Sequence, residues 1–367
     1  YQQFNNSIST MYYHWRIGGS EQERWREMNP QTIIGYTAKA KGQALEPVAY
    51  PAPVLKEHEV RVAISHCGLC YTDIQAIEDF YEITDYPFVP GHEVVGHVCE
   101  VGKSVMELRE GDRVGIGWQG RACGQCEWCA SGEANLCLDV LRNASWTPYG
   151  GFSSSIAVDA GFAYPLPPKI PSETAAVLMC DGISVLAPLD QNYTHPSQRI
   201  GIIGIGGLGH LAIQYAKAMG YEVTAISSSP GKKEEAIGFG ADQFILASDR
   251  TALRKAANYF DVLLSTAHAG VDWEAMHGTL KRKGKLLIAG FSEMSFKPID
   301  LVAHQLTMTG SFLGTQDEMR AMLAFSEIHA IHPLIEVLPM TQINAAIEKL
   351  IEGKVRYRVV LVNDLGV

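Results

Sequence analysis

The pattern of apolar and polar positions divides the chain near residue 172. Before that point, short stretches alternate apolar and polar side chains between glycines, as in HEVRVAISHCGL and GHEVVGHVCEVG. Such alternation predicts strands. The prolines of YPLPPKIP, at positions 165, 167, 168 and 171, then indicate a loop. The first part of the chain is therefore predicted to form short strands with many turns.

After that loop, helical and strand patterns alternate. SETAAVLMCDGISVLAPL has a cap-like Ser172 ahead of helix-forming residues. RIGIIGI and YEVTAIS are predicted strands, and GGLGHLAIQYAKAMG and PGKKEEAIGFG are predicted helices. QFIL, FDVLLST and KGKLLIAG are further short apolar strands. Alternating units of this kind predict a parallel, doubly wound sheet that ends near LTMTGSFLG.

The tail from DEMRAMLAF onwards is predicted to be helix, strand, helix, strand, and to pack back on the first part. We therefore expect an α/β protein with one domain from residues 28–178 and 316–367 and another from residues 179–315. Residues 1–27 lack the apolar region of a secretory signal, and MNPQTIIGYTAKA, from Met28, resembles a natural start. We expect residues 1–27 to be an extension or an expression scar.

Composition narrows the class of protein. Of the 367 residues, 47% are hydrophobic and 19% are charged, which is ordinary for a globular protein and argues against disorder. The net charge of −10 argues against a nucleic-acid-binding surface. Glycines interrupt the most apolar stretch, RIGIIGIGGLGHLAI, so we expect no run of membrane-spanning length. We predict a cytoplasmic protein with neither a nucleic-acid nor a membrane partner.

Four of the eight cysteines lie within CGQCEWCASGEANLC, spaced C-x2-C-x2-C-x7-C. In a long chain without a signal peptide, this cluster indicates a metal site rather than a disulfide framework. Four thiolates can close a tetrahedron on Zn²⁺ and leave no open position, so the predicted role is structural. An iron–sulfur cluster is the competing interpretation. The four predicted ligands are Cys123, Cys126, Cys129 and Cys137.

The turn GIGGLG fits the dinucleotide-binding pattern G-x-G-x-x-G, and it lies between a predicted strand and a predicted helix. Gly204 would make the turn, Gly206 would let a pyrophosphate approach the backbone, and Gly209 would allow close packing of helix on strand. The helix N-terminus would then bind the anion. We expect the cofactor to contact Gly204, Gly206, Gly207, Leu208 and Gly209.

The end of the second strand predicts which dinucleotide binds. An NAD site usually has an acidic residue there, but this chain has the serines of AISSSPGKKEE followed by two lysines. A carboxylate about 4 Å from a 2′-phosphate would cost roughly 4 kcal/mol, whereas hydroxyl and ammonium groups favour the phosphate. We therefore predict NADP(H). The predicted contacts are Ser227, Ser228, Ser229, Lys232 and Lys233.

Three separated segments could hold a second metal ion. CGLCYTDIQ, PGHEVVG and LMCDG could supply a cysteine, a histidine and a second cysteine. Three protein ligands with one open position are typical of catalytic zinc. Spacing alone does not say whether Cys67 or Cys70 is the ligand from the first segment.

From about residue 30 to residue 365, the chain resembles the zinc-dependent medium-chain alcohol dehydrogenases, most of all the cinnamyl-alcohol-dehydrogenase group. The motifs that carry the resemblance are CGLCYTD, GHEVVGHVCEVG, GDRVGIG, the four-cysteine lobe, MCDGISVLAPL, GIGGLGHLAIQYAKAMG and SSSPGKKEEA. It implies a GroES-like, mostly β catalytic domain and a Rossmann cofactor domain. It also implies reversible hydride transfer between NADPH and an aldehyde, aromatic or of broad range, whose oxygen Zn²⁺ polarises.

The resemblance also implies the role of individual residues. It makes Cys70, rather than Cys67, the first ligand of the catalytic zinc, with His92 and Cys180 as the others. Glu93 matches the acidic residue behind the metal, which can exchange with the water at the open position. Thr72 matches the hydroxyl that hydrogen-bonds the substrate oxygen. Asp73 matches the carboxylate that orients the histidine ligand.

Other cysteines and two substitutions complete the expected site. Cys67 and Cys99 are expected to be small core residues. The family often has His or Arg at Tyr71, and commonly has His at Gln75, where it passes the alcohol proton to solvent. Gln cannot titrate, so proton exchange here should use water or another group. Trp118 is expected either to line the substrate pocket or to pack between domains.

Three other functions share parts of this pattern. An NAD-dependent dehydrogenase of small alcohols or polyols would keep both zinc sites and differ at the serine turn. A non-catalytic, zinc-stabilised binding or structural protein would not need an open metal site or Thr72. A zinc-free quinone-reductase relative would not need the three ligands. The resemblance also implies a homodimer that pairs through the edge of the cofactor domain, near LTMTGSFLG.

Overall fold

The computed structural model describes residues 32–140 and 149–365. The prediction for residues 1–27 lies outside the described residues. The strands are β1 Thr32–Thr37, β2 Glu46–Pro51, β3 Glu59–Leu69, β4 Glu93–Val101, β5 Arg113–Ile116, β6 Ser155–Asp159, β7 Tyr164–Pro165, β8 Arg199–Ile203, β9 Glu222–Ser227, β10 Gln243–Leu246, β11 Phe260–Ser265, β12 Leu280–Ile288, β13 Thr307–Gly310, β14 Ile335–Pro339 and β15 Arg358–Val362.

Short helices connect these strands or cover their faces. They are α1 Tyr71–Ile77, α2 Glu127–Ala130, α3 Ser172–Val177, α4 Ile183–Asn192, α5 Gly207–Ala218, α6 Lys233–Gly238, α7 Arg250–Lys255, α8 Trp273–His277, α9 Pro298–His304, α10 Gln316–His329 and α11 Ile343–Ile351. The predicted order of elements in the tail, helix, strand, helix, strand, is confirmed by α10, β14, α11 and β15.

Strands β1 and β2 form a separate pair, and the first large sheet is mixed and joins β3–β7 to the tail strands β14 and β15. Its order is β14-β15-β3-β4-β5-β7, and β6 also pairs with β3. Strand β3 is buried along nearly all of its length because it has neighbours on both edges. Its Val60 and Val62 lie in the same core cluster as Val359 of β15. Tail strand β15 lies antiparallel to β3, with Val359 opposite Leu69. The division of the chain at residues 178 and 315 stays a prediction.

The second sheet is parallel throughout and has the order β10-β9-β8-β11-β12-β13. Its central strands β8, β9 and β11 are almost fully buried because helices cover both faces. Helix α5 packs on one face, where Leu211 joins the cluster around Ile200. Helices α7 and α8 pack on the other face, where Trp273 joins the cluster around Leu263. The predicted doubly wound parallel sheet is confirmed, and the whole is an α/β fold.

The segment Ser172–Asn192 forms a nearly continuous helix in which one π-helical turn, Leu178–Gly182, joins α3 to α4. By length and apolar composition this helix could cross a membrane, contrary to the sequence-based expectation, but 89% of its apolar stretch is buried inside the protein. The prediction for Ser172 was also wrong. Pro171 holds the cap position, and the Ser172 hydroxyl accepts a hydrogen bond from Arg113 at 3.1 Å.

The two cysteines expected in the core differ. Cys67 on β3 is fully buried, as predicted. Cys99 on β4 is only partly buried, and its thiol donates to the carbonyl of Arg61 at 3.5 Å. Cys99 is one of the last three residues of β4, all of which are only partly buried. The expectation that Cys99 is a core residue was therefore wrong.

Candidate active site and metal centres

The end of β3 and the start of α1 form the first wall of the site. Cys70 lies at the cap of α1, and its backbone N–H donates to Asp73 Oδ2 at 3.0 Å. The other carboxylate oxygen of Asp73 accepts from Gly91 N at 3.1 Å and from His92 Nδ1 at 2.7 Å. Asp73 therefore ties the turn after β3 to the turn before β4 and aims His92 Nε2 away from itself. This is the orienting contact predicted for Asp73.

Four potential metal ligands converge at this point. One ligand atom each from Cys70, His92, Glu93 and Cys180 lies within 4.8 Å of all the others. Cys180 arrives from the π-helical turn in the middle of the long helix, and π-helical turns are frequent at functional sites. Two thiols, an imidazole and a carboxylate form a donor set that suits Zn²⁺.

The electrostatics of the two thiols favour metal binding. The hydrogen bond from Cys180 holds the pKa of Cys70 well below its ordinary value, and it does so against the effect of burial. The same contact, together with burial, raises the pKa of Cys180. The two thiols are therefore joined by a hydrogen bond, with Cys180 as the donor. A metal ion would displace the proton of that hydrogen bond, since thiols bind metals as thiolates.

A buried arginine stands behind the ligands. Arg358 on β15 donates to both carboxylate oxygens of Glu93, at 2.5 and 2.6 Å, and to the Leu69 carbonyl at 3.1 Å. Its other amino group pairs with Asp181. Burial raises the pKa of Glu93, and Arg358 opposes that rise. Gly68 makes the arrangement possible, because a Cβ there would lie 1.9 Å from Glu93 Oε2.

The second candidate metal centre is the four-cysteine lobe. The sulfur atoms of Cys123, Cys126, Cys129 and Cys137 all lie within 4.8 Å of one another, as the spacing predicted. Backbone N–H groups point at the sulfurs: Cys126 N donates to Cys123 Sγ and Cys123 N to Cys137 Sγ, both at 3.4 Å. Hydrogen bonds from the backbone of Cys129 and Leu138 lower the pKa of Cys126 to about 6. Four closely set free thiols fit a tetrahedral Zn²⁺.

The glycine turn has the geometry of a dinucleotide site. Gly204 adopts φ +88°, and a Cβ at Gly209 would lie 1.9 Å from the Gly204 carbonyl oxygen. A Cβ at Gly206, in contrast, would meet no atom within 4 Å. Gly206 therefore faces open space at the N-terminus of α5, where a pyrophosphate fits. Gly204 and Gly209 shape the turn without facing that space.

The serine turn meets the site only in part. Ser229 and Lys232 line the same cavity as Gly206, Gly207 and Leu208. Ser227 is buried, and its hydroxyl accepts from Ser229 N at 3.2 Å, so it stabilises the turn. Ser228 and Lys233 are not among the cavity residues. Lys232 donates to the Ile205 carbonyl, and burial lowers the pKa of its ammonium group.

One cavity of about 860 Å³ connects the ligand cluster to the glycine turn, and Thr72 and Trp118 also line it. The Trp118 ring meets Phe312 edge to face at 5.4 Å, which gives the cavity an aromatic wall. Sequence reasoning missed several of the residues that form this cavity or support it. They are Tyr81, Asp181, Glu235, His268, Phe291, Phe312, Arg356 and Arg358.

One of the missed residues had a readable signal. Arg358 interrupts the apolar run YRVVLV, and a charged residue inside a strand pattern indicates a buried, paired charge. Glu235 is a carboxylate close to the serine turn, but its charge is met by Arg356 and by the Tyr357 hydroxyl at 2.7 Å. Phe312 and Tyr81 stand on loops, where no periodicity marks them.

Known proteins resemble both halves of the chain. The model for the alcohol dehydrogenase GroES-like domain matches residues 56–168, and the model for the zinc-binding dehydrogenase domain matches residues 207–327. Vomilenine reductase from Rauvolfia serpentina is 36% identical over 346 residues, which cover 91% of this chain and 95% of that protein.

Solved structures show the same similarity. A cinnamyl alcohol dehydrogenase from Sorghum bicolor superposes with a TM-score of 0.85 at 34% identity, covering 90% of this chain and 97% of that one. A cinnamyl alcohol dehydrogenase from Helicobacter pylori, solved with NADP(H), superposes with a TM-score of 0.82 at 26% identity, covering 92% and 99% of the two chains. These similarities run across both sheets and across the cavity between them.

Proposed function

The chain belongs to the zinc-dependent medium-chain alcohol dehydrogenases, in their cinnamyl-alcohol-dehydrogenase-like group, and from this premise we propose that it reduces aromatic aldehydes reversibly with NADPH. One observation carries the proposal. The ligand cluster, through Cys70 and Cys180, the open glycine turn at Gly206 and an aromatic wall all face one cavity. A cavity of this size and lining suits a dinucleotide together with a small apolar substrate.

Two zinc ions and one dinucleotide would complete the protein. Cys70, His92 and Cys180, with Glu93 beside them, would hold the zinc of the active site, and the four-cysteine lobe would hold a structural zinc. Gly206 and the start of α5 would hold the cofactor pyrophosphate, with Ser229 and Lys232 near its adenosine end. When bound, zinc supplies Lewis-acid polarisation and NADPH supplies the hydride.

The residues of this chain do the positioning. Thr72 presents a hydroxyl to the substrate oxygen, and Asp73 fixes His92 in the tautomer that leaves Nε2 available to a metal. Arg358 holds Glu93 and Asp181 in place behind the ligands. Trp118 and Phe312 would contact the aromatic ring of the substrate and exclude water from the reacting atoms. The apolar walls favour an aromatic substrate over a polyol.

Three sequence-based expectations about the whole protein remain proposals. We propose a homodimer paired through β13, because β13 ends its sheet and no other strand of the described residues covers its outer edge. We propose a cytoplasmic location, since a reducing compartment suits thiolate-held metals. The preference for NADP(H) over NAD(H) rests on Ser229 and Lys232. Glu235, the carboxylate at that end of the cavity, is already paired with Arg356.

The test is nicotinamide absorbance against time, with NADPH and NADH in separate runs. Cinnamaldehyde, benzaldehyde and a short aliphatic aldehyde are compared before and after treatment with a zinc chelator. We expect rapid loss of NADPH with the aromatic aldehydes and no turnover after chelation. Preference for NADH would mean that the serine turn does not select the cofactor. No turnover with either cofactor, in a protein that holds zinc at both sites, would contradict the proposed activity.

A further inference from the structure

A tyrosine occupies the place where a proton relay is needed. The Tyr81 hydroxyl donates to Gln75 Oε1 at 2.8 Å, and the side chain of Thr72 is near enough to lower the pKa of Tyr81. All three residues line the cavity that contains the ligand cluster. Gln75 itself can accept a hydrogen bond but cannot carry a proton. The hydroxyl of Tyr81 therefore lies near Thr72 and contacts Gln75, the residue that cannot carry a proton.

The loop after α1 fixes Tyr81 in this position. It turns back at Asp79, which adopts the left-handed φ of 48°. It is then tied to the helix by the Thr84 hydroxyl, which donates to the Ala76 carbonyl at 3.0 Å, and by the Tyr86 hydroxyl, which donates to the Ile77 carbonyl at 2.7 Å. Because these bonds join the loop to the helix that carries Thr72 and Gln75, the three side chains keep their relative positions.

We propose that the Tyr81 hydroxyl, acting through Thr72, passes the substrate proton between the active site and water; the inference rests on the proposed function. In alcohol oxidation, the substrate O–H bond breaks as an O–H bond forms on Thr72. The former Thr72 proton moves to the Tyr81 oxygen, and the Tyr81 proton moves to water while the hydride goes to NADP⁺. Aldehyde reduction is the reverse, so one hydride and one water-derived proton are added.

The surroundings of Tyr81 suit a relay rather than a standing base. Burial raises its pKa to about 12, so the phenol keeps its proton at neutral pH and can only exchange it. The side chain is nevertheless only partly buried, so water can reach the hydroxyl. Gln75 holds the hydroxyl in its resting orientation. Rotation of the phenolic O–H away from Gln75 towards water would release the proton.

The kinetic test compares Tyr81→Phe with Tyr193→Phe, since both remove a phenolic hydroxyl from a partly buried side chain but only Tyr81 lines the cavity. We expect kcat of Tyr81→Phe to fall by about tenfold or more, with KM and NADPH affinity changed by less than about twofold, and a changed solvent deuterium isotope effect. Tyr193→Phe should keep the wild-type isotope effect. Adding Gln75→His to Tyr81→Phe should restore kcat and give a new pH dependence, because the imidazole can carry the proton.

A second measurement is independent of turnover. With ¹³Cζ-labelled tyrosine, the resonance that is missing in Tyr81→Phe should shift in Gln75→Leu, and the resonance missing in Tyr193→Phe should not. A wild-type protein that turns over no alcohol would contradict the proposed function while this spectrum still reports on the hydrogen bond. Equal kcat and isotope effect in Tyr81→Phe and wild type would overturn the relay and leave Tyr81 as a pocket wall. If Tyr81→Phe does not fold, an unchanged solvent isotope effect in Gln75→Leu would overturn the relay instead.

Discussion

At the residue scale, the most consequential side chain is one that touches no substrate. Arg358 is 6% exposed and faces two buried carboxylates, Glu93 and Asp181. Removing one partner of a buried charge pair leaves the others unpaired, which costs about 3–5 kcal/mol. We expect Arg358→Met to lower the free energy of unfolding by an amount of this order, measured by urea titration.

The matched control is Arg320→Met. Arg320 pairs with Asp317 on the surface of α10, where both side chains are largely exposed. Exposed pairs contribute about 0–1 kcal/mol, so this variant should unfold almost as the wild type does. Equal losses in the two variants would mean that Arg358 acts no differently from an ordinary surface charge.

Gly206 offers a test of cofactor binding that leaves the fold intact. Its φ of −117° is available to any residue, and a Cβ there would meet no protein atom. In the proposed complex, that Cβ would occupy the space of the pyrophosphate. Overpacking costs about 1–3 kcal/mol, so Gly206→Ala should weaken NADPH binding about tenfold to a hundredfold, as measured by fluorescence titration.

Gly238→Ala is the control for that measurement. Gly238 also has open space around its Cα, but it lies at the end of α6 and outside the cavity. The Gly238→Ala variant should bind NADPH with wild-type affinity and show the same melting temperature as the wild type. Undiminished binding by Gly206→Ala would place the cofactor elsewhere in the cavity.

At the element scale, the four-cysteine lobe connects to the substrate pocket. Asn135, between the third and fourth cysteines, donates to the Phe312 carbonyl at 3.0 Å. Gln119, next to Trp118, donates to the Ala134 carbonyl at 2.8 Å. The lobe is thus attached to the backbone of Phe312 and to the neighbour of Trp118, the two residues of the aromatic wall. A structural zinc in the lobe would therefore support the pocket as well as the local fold.

Cys129→Ser tests this connection. We expect it to release the lobe's zinc, keep the zinc of the active site and raise KM for aromatic aldehydes, because the attachment of Phe312 loosens. Metal analysis and steady-state kinetics measure the two effects. Cys99→Ser, which changes a partly buried cysteine outside both ligand clusters, should keep both ions. A Cys129→Ser protein with full zinc content would show that the lobe is not a metal site.

The same elements show what sequence patterns can and cannot predict. The helix expected in GGLGHLAIQYAKAMG is α5, Gly207–Ala218, because a glycine turn and a sustained apolar face mark it. Helices α7 and α8 were missed because, with only six and five residues, they show no helical period. Helix α6 is equally short, but Pro230 marks the start of its segment.

The site residues also divide into those that a local sequence pattern marks and those that no such pattern marks. Cys123 to Cys137 lie close together in sequence, so their spacing indicated a metal cluster directly. Arg358 reaches Glu93 only because β15 pairs with β3, and their sequence separation is 265 residues. Tyr81 reaches Thr72 only because a loop folds back on α1. Contacts made by strand pairing across the chain or by loop geometry leave no local pattern to read.

At the scale of the whole molecule, the cavity is built by both sheets. Thr72 and Trp118 belong to the part with the mixed sheet, Gly206 and His268 to the part with the parallel sheet, and Arg356 to the tail. The proposed cofactor would therefore contact segments that are far apart in sequence. Phe312 adds a further link, because it follows the edge strand β13 and also forms the aromatic wall.

The proposed homodimer would place that edge strand in an interface. Beside β13, helix α9 and the segment before it expose apolar side chains, among them Ile299 at 62% and Val302 at 72%, and clustered exposed apolar residues of this kind mark interaction surfaces.

Ile299→Glu with Val302→Glu should introduce unpaired charges into the interface and convert the dimer to a monomer in sedimentation velocity. Ile328→Glu, a change at a residue 76% exposed on α10, should leave the dimer intact. A monomeric wild type would contradict the dimer. A dimeric double variant would move the interface away from β13, and Phe312 would then be held in the pocket by Asn135 and Trp118 of its own chain.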